Sequence, residues 1–235
     1  LSTEFPVTER VQTGVSYQDM FKELVRSPGF FIWFFCMMIT AAAELAPGQW
    51  VDIALTNVVG MQGIYVLIYV SMLMFVMRFF AGAIAKRISS VGLLWVGCLL
   101  AAVGLYGLSL SNSPATAFLS ATVWGMGVCY LYPTMLSSVN ERYPRGGALF
   151  LGLTGFAAGL SIQFVLPFMG AIFDSAKIEA AGGVERLMTL EGEAMAEVLR
   201  YASIESFQAV ALLPLILLPV FGFIWLRDRA KARAL

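Results

Sequence analysis

The chain has 235 residues, of which 59% are hydrophobic and only 13% are charged, and its mean hydropathy is +0.80. A soluble domain has about 45 to 50% apolar residues, so this composition excludes an ordinary soluble protein and predicts an integral membrane protein. The 15 basic and 15 acidic residues cancel, and the sequence has no His and no phosphate-binding Gly-x-x-x-x-Gly-Lys-Ser/Thr loop. We therefore expect no enzyme activity, metal, cofactor or nucleic-acid partner; the surrounding partner is the lipid bilayer.

Uncharged apolar runs predict an all-α domain with six membrane-spanning helices, because one crossing takes roughly 20 residues. The first span begins near Phe30 and is kinked at Pro47. The other five are expected over about 60–83, 91–110, 115–140, 147–173 and 207–226.

Polar segments set the expected boundaries around these spans. We expect a cytoplasmic linker over 1–28, the six-helix domain over 29–228 with an extracytoplasmic loop at 174–205, and a basic cytoplasmic tail over 229–235. Apolar residues at helical spacing within 16–25 predict a short amphipathic helix, and a similar spacing predicts a surface helix in the loop. The chain begins with Leu1 rather than Met, so we expect it to be a fragment.

The basic residues divide unevenly between the two sides of the expected membrane domain. If the linker is cytoplasmic, six spans return the tail to the same side. All of the 15 basic residues except Lys177, Arg186 and Arg200 then lie on that side. Because cytoplasmic segments carry the excess of Lys and Arg, we expect both termini in the cytoplasm.

The stretch from Glu44 to Trp50 places a carboxylate, the helix-breaking Pro47 and Gly48, and an amide within an apolar span. A charged side chain near the bilayer centre costs about 2.5 to 3.5 kcal/mol, so it usually faces the protein interior or a watery cavity. Burial disfavours the charged form of a carboxylate, and this property suits a proton carrier or a solute-binding group. Alternatively, a protonated Glu44 bonds the backbone loosened at Pro47 and Gly48, and both interpretations stay open.

Other polar and aromatic side chains inside the spans are candidates for solute binding. Gln49, Asn57 and Gln163 carry amides that could bond hydroxyl groups, although hydrogen bonds between helices would explain them equally well. Trp124 and Tyr130 offer flat faces that could stack on a sugar ring or a nucleobase. For these two aromatic residues, ordinary packing is the alternative.

Three glycines in the fifth predicted span, Gly152, Gly155 and Gly159, lie close to one helix face. Gly155 and Gly159 match the small-residue pattern that lets two membrane helices approach closely. We expect another helix to pack on this face.

The string from Arg78 to Ser90 resembles the loop signature of the major facilitator superfamily. That signature has a Gly, an Asp-Arg pair four residues later, and then a Gly and basic residues. Gly82 and Arg87 match it, and Lys86 stands at the Asp position.

Two further stretches resemble bacterial sugar permeases of the fucose permease type. Residues 124–135, followed by Glu141 and Arg142, are similar to their tenth helix, and residues 44–50 are similar to their seventh.

The resemblance implies that this chain is the C-terminal six-helix half of a twelve-helix transporter in the bacterial inner membrane. The half would contain two inverted three-helix repeats, with the solute site near the midplane between this half and a missing N-terminal half. Glu44 and Trp124 would then occupy corresponding repeat positions beside the cavity.

We therefore expect a secondary transporter that moves a small polar solute, namely a sugar, together with protons by alternating access. Glu44 is expected to bind the proton or the solute, the three amides to hydrogen-bond the solute, and the two aromatic residues to stack on it. A nucleoside or other metabolite permease is the nearest alternative. A non-transporting six-helix assembly domain is the alternative from a different class.

Overall fold

The computed structural model describes residue 14 and residues 16–234, and within this range the side chains of 49–54, 85, 86 and 234 lie outside the description. The structure is 88% helical, and the described residues contain no strand. The all-α prediction is therefore confirmed. In chain order the elements are α1 Tyr17–Arg26, α2 Phe30–Val59, α3 Ile64–Arg78, α4 Ala81–Ile88, α5 Ser90–Ser109, α6 Pro114–Val128, α7 Leu131–Arg142, a 3₁₀ turn Pro144–Gly146, α8 Gly147–Ala181, α9 Val184–Leu187 and α10 Gly192–Ala234.

Helix α1 forms where the amphipathic pattern predicts it, and its first turn explains why it starts at Tyr17. Ser16 and Asp19 form a capping box in which each side chain accepts a hydrogen bond from the other residue's backbone N–H. The Ser16 hydroxyl and backbone N–H both donate to the Asp19 carboxylate, and these bonds hold the pKa of Asp19 below its usual value. Met20 is buried, and α1 packs against the 3₁₀ turn and the start of α8. The rest of the linker, 1–13 and 15, lies outside the described residues.

Five helical segments among the described residues are long and apolar enough to cross a membrane. The second predicted span differs, because α3 has only 15 residues. At 1.5 Å per residue that is about 22 Å, short of a hydrocarbon core of about 30 Å. Since α4 follows directly after Phe79 and Phe80, the second span is a broken helix. The fourth is broken too, at Cys129 and Tyr130 between α6 and α7.

The polar segment 174–205 is mostly helical, as the apolar spacing within it predicts, and α8 and α10 extend into it from the neighbouring spans. Helix α8 continues to Ala181 and ends at Gly182, which has a left-handed φ of 78°. Helix α10 then starts at Gly192 and runs through the expected tail to Ala234. The flanking stretches are rich in Ala, Glu and Leu, which favour helix, so their polarity did not end the helices.

Helix α5 lies at the centre of the bundle, between α6 and α10, while α2 packs on α8 and α10. Glycines bring the α5 and α6 backbones into contact. A Cβ atom at Gly104 would lie 2.2 Å from the backbone nitrogen of Trp124, and one at Gly127 would lie 2.3 Å from that of Ala101. This contact fixes the position of α6, and with it the position of the Trp124 side chain.

The glycines of α8 do not make the close helix contact that the small-residue pattern predicts. A Cβ atom at Gly152 or Gly159 would meet nothing within 4 Å, and one at Gly155 would lie 3.8 Å from the Tyr132 hydroxyl. The expected packing is therefore wrong for the described part of this chain. The pattern identifies a face on which a helix can approach, but it does not say whether a helix of the same chain does so.

The contact between α5 and α6 predicts that Gly104→Ala destabilises the fold. The added methyl group must displace the α6 backbone, and overpacking of this kind typically costs about 1 to 3 kcal/mol. We expect a lower midpoint of thermal unfolding for the purified protein in detergent. Gly152→Ala is the matched control, because it adds the same methyl group to open space and should leave the midpoint unchanged or raise it. Equal midpoints for the two variants would contradict the packing described.

Candidate solute and proton site

Pro47 lies inside α2 and has no N–H to donate to the carbonyl of Ala43, four residues earlier. The indole N–H of Trp124, from α6, donates to that carbonyl at 3.2 Å. Trp124 is only 3% exposed, so water does not compete for this bond. An unsatisfied buried acceptor costs about 1 to 3 kcal/mol, so Trp124 stabilises the helix at Pro47.

A second freed carbonyl lies at the break between α6 and α7. In an unbroken helix the amide of residue 133 would donate to the Cys129 carbonyl, but residue 133 is Pro. Arg78 Nε, at the end of α3, donates to this carbonyl at 3.3 Å. In return, the Tyr130 hydroxyl donates to the Met77 carbonyl in the last turn of α3 at 2.7 Å. Each broken span therefore supplies a donor for the other.

The guanidinium of Arg78 also reaches Glu44 on α2, with Nη2 3.6 Å from Oε1. Glu44 is the fifteenth of the 30 residues of α2, so this ion pair lies at about half the length of the helix. The Glu44 side chain is 13% exposed and that of Arg78 is 49% exposed. A carboxylate this buried needs a nearby positive charge, because an unpaired buried charge is strongly destabilising.

Arg78 was expected in the turn after the second span, and the structure places it elsewhere. It lies before the break at Phe79, with the whole of α4 between it and the next span. The pairing of Arg78 with Glu44 was therefore not predicted from the sequence. A signal was present in the sequence, since each proline marks a carbonyl four residues earlier that needs a new donor. The sequence did not reveal which side chains supply those donors.

The structure brings three of the six predicted site residues together. Glu44, Trp124 and Tyr130 meet around the two helix breaks. Asn57 lies near the other end of α2, with its amide nitrogen 3.4 Å from the Ser203 hydroxyl of α10. Gln163 is exposed on α8, and the Gln49 side chain lies outside the described residues.

The rings of Trp124 and Tyr130 are 3% and 4% exposed, and both polar tips bond backbone carbonyls. Neither ring presents a face to a solute in this conformation. Their role in stacking stays a prediction.

Among the residues predicted for the loop motif, Arg78 ends α3, and the others lie at the ends of α4 and α7. Gly82 and Arg87 are exposed, and the Lys86 side chain lies outside the described residues. Glu141 accepts hydrogen bonds from Ser137 at 2.9 Å and from Ser90, at the start of α5, at 3.5 Å. Arg142 pairs with Asp228 of α10, and its guanidinium lies 4.9 Å from the centre of the Trp33 ring on α2. Glu141 and Arg142 thus connect α7 to three other helices.

No group of three or more His, Cys, Asp or Glu residues in the described part of the chain could hold a metal ion. The chemistry that the site offers is therefore a carboxylate, a guanidinium and backbone carbonyls freed by two prolines.

If Trp124 supplies the donor that Pro47 removes, the two positions should be energetically coupled. Trp124→Phe should lower the unfolding free energy by about 1 to 3 kcal/mol, because the Ala43 carbonyl is left unpaired. In a Pro47→Ala background, the backbone N–H of residue 47 can bond that carbonyl, so the same substitution should cost less. A double-mutant cycle measured by unfolding in detergent gives the coupling. Equal costs in the two backgrounds would show that the indole hydrogen bond contributes nothing.

A family model of the Major Facilitator Superfamily matches residues 3–179, which is more than half of the chain. No curated protein and no solved structure matches the chain. The long apolar helices and this match together make the protein an integral membrane protein. Members of the family are transporters rather than enzymes. The chain belongs to the Major Facilitator Superfamily of secondary transporters.

Proposed function

We propose that the protein imports a small polar solute of the sugar type together with protons. The observation that carries this proposal is the ion pair between Glu44 and Arg78, halfway along α2 and beside the breaks in two spans. Ionisable groups inside membrane spans are costly and typically mark solute or proton pathways. The inverted-repeat transporters likewise bind their substrates near the bilayer midplane, where helices are interrupted.

The broken spans supply the flexibility that alternating access requires. At each break the backbone is held by a side chain of the other span, through Arg78 and Tyr130, and not by a continuous helix. Side-chain bonds can exchange without unwinding a helix. A solute that binds one arrangement more tightly than the other shifts the equilibrium between inward-open and outward-open states by that difference in affinity.

In this proposal Glu44 carries the proton, since it is the more buried partner of the ion pair. The solute is also hydrogen-bonded by the amides of Asn57, Gln163 and Gln49. The exposure of Gln163 supports a position facing a second six-helix half, which would complete the site. Both termini would lie in the cytoplasm, and the membrane would be the inner membrane of a bacterium.

Proton movement across vesicles that hold the native gene product tests this function. A panel of neutral sugars, sugar acids and nucleosides is added outside, and the external pH is followed. We expect one solute class to make the outside more alkaline, because protons enter with the solute, and we expect Glu44→Gln to abolish this change. Glu193→Gln, at an exposed position in the first turn of α10, is the matched control and should behave as wild type.

Each other outcome of this assay has a defined meaning. If Glu44→Gln retains solute-driven alkalinisation, Glu44 is not the proton carrier. A response to nucleosides alone would show that the transported solute is a nucleoside and not a sugar. No pH change with any solute, despite correct insertion, would refute proton coupling.

A further inference from the structure

Among the described residues, the guanidinium of Arg78 makes one hydrogen bond and one longer ion pair. Its Nε bonds the Cys129 carbonyl, and Nη2 lies 3.6 Å from Glu44, which is an ion-pair distance beyond a hydrogen bond. An arginine has five N–H donors in a planar fork. Nε anchors the side chain on one edge, and 49% of the side chain is exposed, so it has N–H donors to offer a further acceptor.

From this geometry we infer that Arg78 is an anion-binding group and that the solute carries one carboxylate, as a sugar acid does. The inference rests on the proposed transport function and specifies its substrate class. A guanidinium binds a carboxylate through two parallel charge-assisted hydrogen bonds, which are shorter and stronger than the loose contact with Glu44. A solute carboxylate therefore competes well for Arg78. A neutral sugar offers nothing comparable.

Displacement of Glu44 by the solute couples the proton to transport. Once Arg78 binds the solute carboxylate, Glu44 is a buried anion without its counter-charge, and such an anion is strongly destabilising. It regains neutrality by taking a proton from water onto a carboxylate oxygen. One negative solute and one proton then cross together, so no net charge moves.

Among the described side chains, Arg78 is the counter-charge of Glu44. The titratable groups described close to Glu44 are the Arg78 guanidinium from α3 and the Cys129 thiol at the break between α6 and α7. Tyr130, the next residue at that break, uses its hydroxyl on the Met77 carbonyl. Helices α8 and α10 also pack on α2, and no charged group of their described side chains interacts with Glu44.

The test compares a neutral sugar with the matching acid in vesicles that hold the native gene product. Labelled glucose, glucuronate and gluconate are offered, and uptake is followed with and without a potential imposed by potassium and valinomycin. We expect uptake of an acid, one proton taken up per solute, and no effect of the potential on the rate. Proton symport of a neutral sugar would instead move positive charge and respond to the potential.

Two substitutions separate the roles of the ion pair. Arg78→Lys keeps the positive charge but removes the planar set of N–H donors that binds a carboxylate through two parallel bonds. The apparent affinity for the acid should therefore fall by roughly 10-fold or more. Glu44→Gln keeps Arg78 and removes the proton carrier. Uptake of the acid should then proceed without protons and become sensitive to the potential, because a net negative charge now crosses. This second readout does not depend on whether Arg78 variants fold.

Two results would overturn the inference. Potential-sensitive symport of the neutral sugar, with an affinity unchanged in Arg78→Lys, would refute the anionic substrate and leave the proposed transport function standing. Failure of the inserted protein to move any solute of either type would refute the proposed function, and the inference with it.

Discussion

The structure depends on how two prolines inside membrane helices are accommodated. Each leaves a carbonyl four residues earlier without its backbone donor, in surroundings where water cannot replace it. Trp124 donates to the carbonyl freed by Pro47, and Arg78 donates to the one freed by Pro133. Because both donors come from other helices, the same bonds that repair the backbone hold α2, α3, α6 and α7 together.

Packing elsewhere in the bundle makes these bonds possible. Gly104 and Gly127 bring α5 and α6 so close that backbone touches backbone, and this contact sets the depth of Trp124 against α2. At the end of α7, Arg142 pairs with Asp228 and lies over the Trp33 ring. The candidate site is therefore flanked by two contacts between helices. One is the backbone contact of α5 with α6, and the other is the ion pair of Arg142 with Asp228.

Sequence patterns predicted the elements that depend on local chemistry. The all-α fold, the start of α1 and the first span all follow from apolar spacing and capping residues. The break at Phe79 was not predicted, because the apolar run shows no sign of it, whereas Pro133 gives a signal for the break at Cys129. The extension of α8 to Ala181 was not predicted, because the polar residues from 174 onwards mark the end of the membrane span but not the end of the helix.

The candidate site was only partly predictable for a different reason. Glu44, Trp124 and Tyr130 stand out as polar or aromatic groups in apolar runs, and the structure does bring them together. Arg78 was assigned to a turn, because a basic residue near the end of an apolar run normally marks the membrane surface. Asn57 and Gln163 lie apart, since the rotation of each helix is decided by packing that no single run encodes.

The reciprocal bonds between the two broken spans also have a mechanical consequence. Tyr130 holds the end of α3, and Arg78 holds the end of α6, so a movement at one break would strain the bond that it shares with the other. Two breaks linked in this way would change conformation together. The second and fourth spans would then swing in concert, and a stimulus at either hinge would be transmitted to both.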